Sequence, residues 1–293
     1  MFKKYAEIYG EIWNKSFETS AEILKKSGEI WENVVSNEDF AKHCLATLES
    51  VSNATKPAEW LETTLLGRPV QVGQTPYEIV WREGTASLRF YQSSTPKDKK
   101  PLFIVYAMVN RPYILDLISD RSVIQKILNS GRDVYLLDWG EPTQNESELP
   151  LSYFTHYLIN SAVDAVLTRE NIDSLPLLGY CQGGTFSLLY ALKEEQKISS
   201  LTLMATPVDF SKMGLLSLWA KHLDPSIFLN EKGNVDGWRL RMAFENLRPF
   251  HLPLRWQGFG KKILEGDIGE VEKEHFAAME KWINDDRDIP GKA

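Results

Sequence analysis

The chain has 293 residues, 43% of them hydrophobic and 25% charged, and a formal net charge of -7 at pH 7. It is long enough to bury a core over one or two domains and has the composition of a soluble globular protein. It carries no basic excess that would suit nucleic acid, and no apolar run near the roughly 18 residues of a transmembrane segment.

No signal peptide is evident behind Met1-Phe2-Lys3-Lys4-Tyr5. The two cysteines, Cys44 and Cys181, sit in unlike contexts, which argues against a disulfide framework and for a reducing, cytoplasmic setting. Residues 1 to 55 read as a helical extension. Phe2, Tyr5, Ile8, Tyr9, Ile12, Trp13 and Phe17 recur at helical spacing, and a second pattern runs through Phe40, Cys44, Leu45 and Leu48. This aromatic, amphipathic stretch either packs on its own chain or docks on a partner protein or an apolar particle surface. Cys44 lies on its apolar side as a packing residue. Pro57 and Gly67-Arg68-Pro69 end the pattern.

From about residue 70 the texture changes. Tyr77 to Glu83 and Ala86 to Tyr91 read as a hairpin turning at Gly84-Thr85. Leu102 to Tyr106 and Val134 to Trp139 are continuous apolar strands of the kind buried on both faces of a parallel sheet. Helical patterns separate them, through Val123, Ile124, Ile127 and Leu128, and from Leu151 to Arg169. Further strands run from Leu175 and from Leu201 to Thr206. The alternation predicts an α/β core over residues 70–207, built on a parallel sheet with right-handed crossovers. Over residues 208–293 short helices are expected at 213–223, 238–247 and 275–283, as a partial helical cap. The last nine residues read as a loop, without a closing strand.

Within the core, Leu175-Pro176-Leu177-Leu178-Gly179-Tyr180-Cys181-Gln182-Gly183-Gly184-Thr185 stands out. A strand stops at Gly179, Cys181 follows, and a helix resumes after Gly183. This is the pattern of a nucleophile elbow with cysteine where serine is usual. The turn is too sharp for side chains beside the nucleophile, which explains glycine at 179 and 183. The start of the next helix favours a thiolate. The competing reading is a buried structural cysteine in a glycine-rich turn. The sequence holds no P-loop and no dinucleotide motif, and its histidines are too scattered for a zinc site.

Five segments together resemble the polyhydroxyalkanoate synthases, which polymerise storage polyester. They are Val105 to Leu117, Gly131 to Gly140, Gly179 to Thr185, Thr206 to Phe210, and Met279 to Trp282. The resemblance spans residues 70 to 293 in order and is strongest to the short catalytic subunits of two-subunit synthases. It implies an α/β-hydrolase-type fold and an acyltransferase with Cys181 as nucleophile. A hydroxyacyl-CoA thioester would be the substrate, with no cofactor and no metal. The Gln182 amide would be one oxyanion donor, and an amide near Met108 to Asn110, taken as Val109, the second. Implied partners are the polyester chain, a helical second subunit or a second copy, and the granule surface.

The family also needs an aspartate and a histidine after the nucleophile, and neither of their motifs is present. His156 precedes Cys181, and His222, His251 and His275 lie in cap-like sequence. Asp138 and Asp209 end or follow strands, but not the strand that carries the acid in this fold. No histidine or aspartate is therefore assigned. The sequence reads as C-terminally truncated, with the second half of the sheet absent and its last strand left as an open edge. On that reading the chain is inactive or incomplete alone. The missing segment coming from another chain is a second explanation, and a non-catalytic granule- or subunit-binding remnant a third. A thioesterase-like cysteine enzyme is a weaker alternative that would also need a histidine.

Overall fold

The computed structural model describes residues 61–95, 100–222, 224–247 and 251–293. The N-terminal helical pattern and Cys44 lie outside these residues. The chain divides into two units: Met1–Ser52 with Gly214–Ile227, and Asn53–Met213 with Phe228–Ala293.

Among the described residues the second unit has six strands: β1 (Glu78–Glu83), β2 (Ala86–Tyr91), β3 (Leu102–Val105), β4 (Val134–Asp138), β5 (Leu175–Tyr180) and β6 (Ile198–Met204). Their spatial order is β1-β2-β4-β3-β5-β6. The β4-β3-β5-β6 part is parallel. The sheet as a whole is mixed, because the hairpin joins it: β1 and β2 are antiparallel, and β2 runs antiparallel to β4. The expected hairpin is thus the antiparallel edge of the expected parallel core. A turn as short as Gly84-Thr85 can link only antiparallel strands, whereas parallel neighbours need a crossover.

Helices α1 (Val123–Asn129), α2 (Gln144–Ser147), α3 (Ile159–Glu170) and α4 (Gln182–Ala191) connect the strands. A π-helical segment, Tyr153–Leu158, leads into α3. The Ser122 hydroxyl caps α1 by accepting from the Gln125 amide, and Asn171 ends α3 in the left-handed conformation.

Alternation along β3 and β4 splits the core between two faces. Phe103, Val105, Tyr135 and Leu137 pack with Phe154, Ile159, Val163, Phe186 and Tyr190 of the α3 and α4 side. Leu102, Ile104 and Leu136 pack with Ile124 of α1. Every residue of β3 and β4 is buried. Strand β6 is the outer strand, and most of its residues are exposed, Leu203 by 39%.

Helix α5 (Leu215–His222) belongs to the other unit. Back in the sheet-bearing unit, α6 (Gly237–Asn246) starts at Asp236, whose carboxylate accepts from the amides of Trp238 and Arg239. Helices α7 (His251–Glu265) and α8 (Glu270–Ile283) follow. The rings of Phe259 and Phe276 stack between them at 3.7 Å, in a cluster that includes Leu61, Val70 and Leu117. Helix α7 is not among the helices expected from sequence. Pro253, Gly258 and Gly260 break its apolar pattern, yet proline is tolerated in a first turn and the aromatic cluster outweighs the two glycines.

Candidate functional site

Strand β5 ends at Tyr180 and α4 begins at Gln182, so Cys181 alone makes the turn. Its φ of 54° and ψ of -127° lie where side-chain-bearing residues rarely go. The turn survives because the surrounding backbone is packed too closely to relax. A Cβ on Gly179 would stand 2.3 Å from the Gly184 Cα. One on Gly183 would stand 2.2 Å from the Val105 carbonyl oxygen, and one on Gly184 would stand 1.9 Å from the Thr206 hydroxyl oxygen. The Cys181 amide donates to the Met204 carbonyl at 2.9 Å, and the Cys181 carbonyl accepts from the Gly184 amide at 2.9 Å. The thiol is half-buried at the start of a ten-residue helix.

Two tyrosines flank it. Tyr106 and Tyr180 stack at 5.5 Å, nearly parallel, and both pack with Cys181 in one apolar cluster. Burial pushes both phenols above the ordinary tyrosine range, and negative charge at Cys181 adds to this. Both stay neutral hydroxyls through the physiological range.

Beyond Val105, β3 runs out into Tyr106-Ala107-Met108-Val109-Asn110-Arg111. The Met108 amide donates to the side-chain oxygen of Gln182 at 3.1 Å, tying this loop to the first residue of α4. The amides of Val109 and Gln182 donate to no described acceptor. Asn110 holds a φ of 59°, and Arg111, ahead of Pro112, is extended. The Trp139 indole N–H donates to the Tyr106 carbonyl at 2.8 Å and sets the start of the loop from below.

The last turn of α8 and the segment after it meet the far end of the loop. The Trp282 indole donates to the Arg111 carbonyl at 2.8 Å. The Arg111 guanidinium donates to an Asp285 carboxylate oxygen at 3.1 Å and to the Asp286 carbonyl at 3.1 Å, and pairs with Glu141 at 2.9 Å. The Tyr113 hydroxyl donates to the other Asp285 oxygen at 3.0 Å. Glu141 aside, these partners are 171 to 175 positions apart, and no periodicity in the sequence announces them.

The candidate acids and bases are engaged elsewhere. Asp138, at the end of β4, is buried between Arg89 and Arg287, the latter at 2.8 Å. Burial opposes its charge, but the two guanidiniums and the Gly140 amide prevail and hold its carboxyl below the usual range. Asp209 is exposed and accepts from the Ser211 amide at 3.1 Å. In the sheet-bearing unit no described histidine hydrogen-bonds Cys181. His156 meets the Thr155 hydroxyl at 2.7 Å, and His251 and His275 lie on α7 and α8. His222 lies on α5 in the other unit. Among the described residues, no cluster of three or more histidine, cysteine, aspartate or glutamate side chains could hold a metal, and no helix is long and apolar enough to cross a membrane. A cavity of about 10 Å³, lined by Met108, Trp139, Phe154 and Arg287 among others, lies behind the loop. It is the size of one water and far too small for an acyl thioester.

Comparison with known proteins gives this arrangement a setting. A family model described as alpha/beta hydrolase fold matches residues 90–250, and one described as Poly-beta-hydroxybutyrate polymerase (PhaC) N-terminus matches residues 39–127. The poly(3-hydroxyalkanoate) polymerase subunit PhaC of Thiocystis violacea is 38% identical over 252 residues, 83% of this chain and 69% of that protein. The PhaC subunit of Synechocystis is 35% identical over 271 residues, 89% of this chain and 68% of its own length. That of Haloferax mediterranei is 39% identical over 230 residues, 76% of this chain but 46% of its own length. An α/β-hydrolase-type sheet, with relatives of this identity and coverage, places the chain in the PhaC family of poly(3-hydroxyalkanoate) polymerases.

Proposed function

We propose that this chain transfers acyl groups through Cys181 in the growth of a polyhydroxyalkanoate, taking 3-hydroxyacyl groups from coenzyme A thioesters. The observation that carries the reading is the strained turn at Cys181, beside which the amides of Gln182 and, on the loop after β3, Val109 have no described acceptor.

In the first half-reaction the Cys181 thiolate attacks the thioester carbonyl carbon. The carbonyl electron pair moves to oxygen, where the Gln182 and Val109 N–H groups donate to the developing oxyanion. The intermediate collapses, the bond to the coenzyme A sulfur breaks, and coenzyme A leaves as a thiolate. In the second half-reaction the hydroxyl of another hydroxyacyl unit attacks the acyl-cysteine carbonyl and gives up its proton to a base. The ester forms and the Cys181 thiolate is restored. Sulfur suits both steps, because its thioester stays activated towards an alcohol. The first half-reaction asks only for a thiolate and an oxyanion site. The second asks for a base, and no described histidine meets Cys181. We infer that the isolated chain carries out acylation and does not polymerise at an appreciable rate alone. A helical second subunit, another copy of the chain, or the granule surface is then the partner.

The unpaired thiol also supports a second reading, a non-catalytic relative that binds granule or subunit. One experiment separates the two. The purified chain is incubated with 3-hydroxybutyryl-CoA, the acyl adduct is followed by intact mass, and released coenzyme A is assayed in parallel. The acyltransferase reading expects an adduct with matching release, lowered by several orders of magnitude in Cys181→Ser. A folded chain that forms no adduct leaves the binding reading.

A further inference from the structure

We propose that Arg111 and Asp285 are positioning residues: together they clamp the loop after β3 so that the Val109 amide stands ready to serve Cys181. The inference rests on the acyl-transfer reading of Cys181 and adds to it the device that holds the second oxyanion donor.

Val109 and Asn110 form a two-residue span between two anchors. On one side the Met108 amide is fixed to the Gln182 side chain at 3.1 Å, and Gln182 is the residue that follows the cysteine. On the other side Arg111 is held at its carbonyl by Trp282 and at its side chain by Asp285, Glu141 and the Asp286 carbonyl. Asp285 uses both carboxylate oxygens, one for Arg111 and one for the Tyr113 hydroxyl, so it braces the loop on both sides of Pro112. A planar guanidinium with several fixed partners sets an angle as well as a distance.

The span needs this support. Asn110 sits at a φ of 59°, a left-handed backbone that side-chain-bearing residues seldom adopt and that neighbouring contacts must hold. Released from Arg111, the Asn110 backbone can return to negative φ. The peptide plane between Val109 and Asn110, which carries the Val109 carbonyl, would turn with it, and Val109 would move with the loosened span and carry its N–H out of place. The turn at Cys181 would be untouched, since its glycines pack on Val105 and Thr206 and not on Arg111.

The test compares two reactions at the same sulfur. Acylation by 3-hydroxybutyryl-CoA or by p-nitrophenyl acetate passes through an oxyanion, whereas alkylation by iodoacetamide is a displacement at carbon that forms none. Rates at Cys181 are measured by intact mass in the full chain and in Arg111→Gln, Asp285→Ala and the milder Asp285→Asn and Tyr113→Phe, with Cys181→Ala as the blank. In Arg111→Gln and Asp285→Ala, acylation at saturation is expected to fall about 100-fold, the cost of a misplaced group, with alkylation within about twofold of the parent. The half-saturating thioester concentration should not change, and the milder variants should fall in between. Where a harsher variant does not fold, the milder pair decides. Acylation that stays at the parent rate overturns the clamp, and so does a parallel loss of acylation and alkylation, which would mark Arg111 as holding the fold only. A parent chain acylated by neither donor overturns the nucleophile reading itself, and the clamp with it.

Discussion

At the Cys181 turn, glycines at 179 and 183 bring backbone against backbone, Gly184 makes room for the Thr206 side chain, and none of these close neighbours is charged. Between Trp282 and Asp288 the chain is held almost wholly by charge. Arg111 meets Asp285, Arg241 meets Asp286 at 2.8 Å, Arg287 meets Asp138, and Asp288 accepts from the Gly237 amide at 3.0 Å. Close contact suits a turn confined to one backbone geometry, and steric fit does not titrate or respond to salt. Ion pairs suit the segment that braces the facing loop, since they set direction over long side chains at modest net stability. The two regions should therefore fail under different insults.

The largest effect should come from the most buried charge. Asp138→Asn removes the one carboxylate between Arg89 and Arg287, leaving two guanidiniums with no opposite charge between them. It should cost about 3–5 kcal/mol in urea unfolding. Because the folded carboxyl titrates below its ordinary 3.8, its contribution is complete above that value and lost as pH falls through the lower folded one. The parent should therefore lose stability below about pH 4, and the variant should lose less over the same range. An unchanged urea midpoint would show that charge does not hold this segment.

A steric insult at the turn comes next. Gly183→Ala puts a methyl 2.2 Å from the Val105 oxygen, in backbone that has nowhere to go. A loss of about 3 kcal/mol is expected, insensitive to salt. Its control is Gly258→Ala on α7, where nothing lies within 4 Å of the added Cβ. There the helix should gain about 0.5–1 kcal/mol. Equal effects at the two glycines would mean that the turn is not held by contact.

This contrast also explains what could be read from the sequence. Contact between neighbours in the chain leaves a local signature. Gly179, Gly183 and the apolar run before them give away the turn, just as Leu102 to Val105 and Val134 to Leu137 give away the central strands. Charge pairing leaves none. Arg111 and Asp285 look like ordinary polar residues of two loops until the fold brings them together. The Gln182 side chain, read only as the bearer of a useful amide, also ties down Met108. Asp138 reads from sequence only as an aspartate at a strand end, because Arg89 and Arg287 reach it from positions 49 and 149 residues away. Helix α7 was hidden differently: its proline and glycines are poor helix formers, and its ring cluster with α8 exists only after folding.

The smallest effect tests the α7–α8 pair, where rings pack between two helices. His275 sits on α8, part-buried, with Arg121 near it. Burial, and then the Arg121 charge, hold its imidazole below the ordinary 6.5. The folded chain therefore binds this proton less readily than the unfolded chain does. The stability it contributes is complete above pH 6.5 and declines as pH falls below that value. His275→Gln keeps a polar side chain of similar reach but cannot titrate. Its melting temperature should vary less between pH 7.5 and 5.5 than that of the parent, while Asp138→Asn should follow the parent there, because its carboxylate titrates lower. Parallel curves for the parent and His275→Gln would show that the imidazole is solvated in the fold and that the α7–α8 pair is indifferent to its charge. A flatter curve for His275→Gln alone would separate three modes of support in one unit: contact at the turn, ion pairs behind the loop, and apolar packing that excludes a proton on α8.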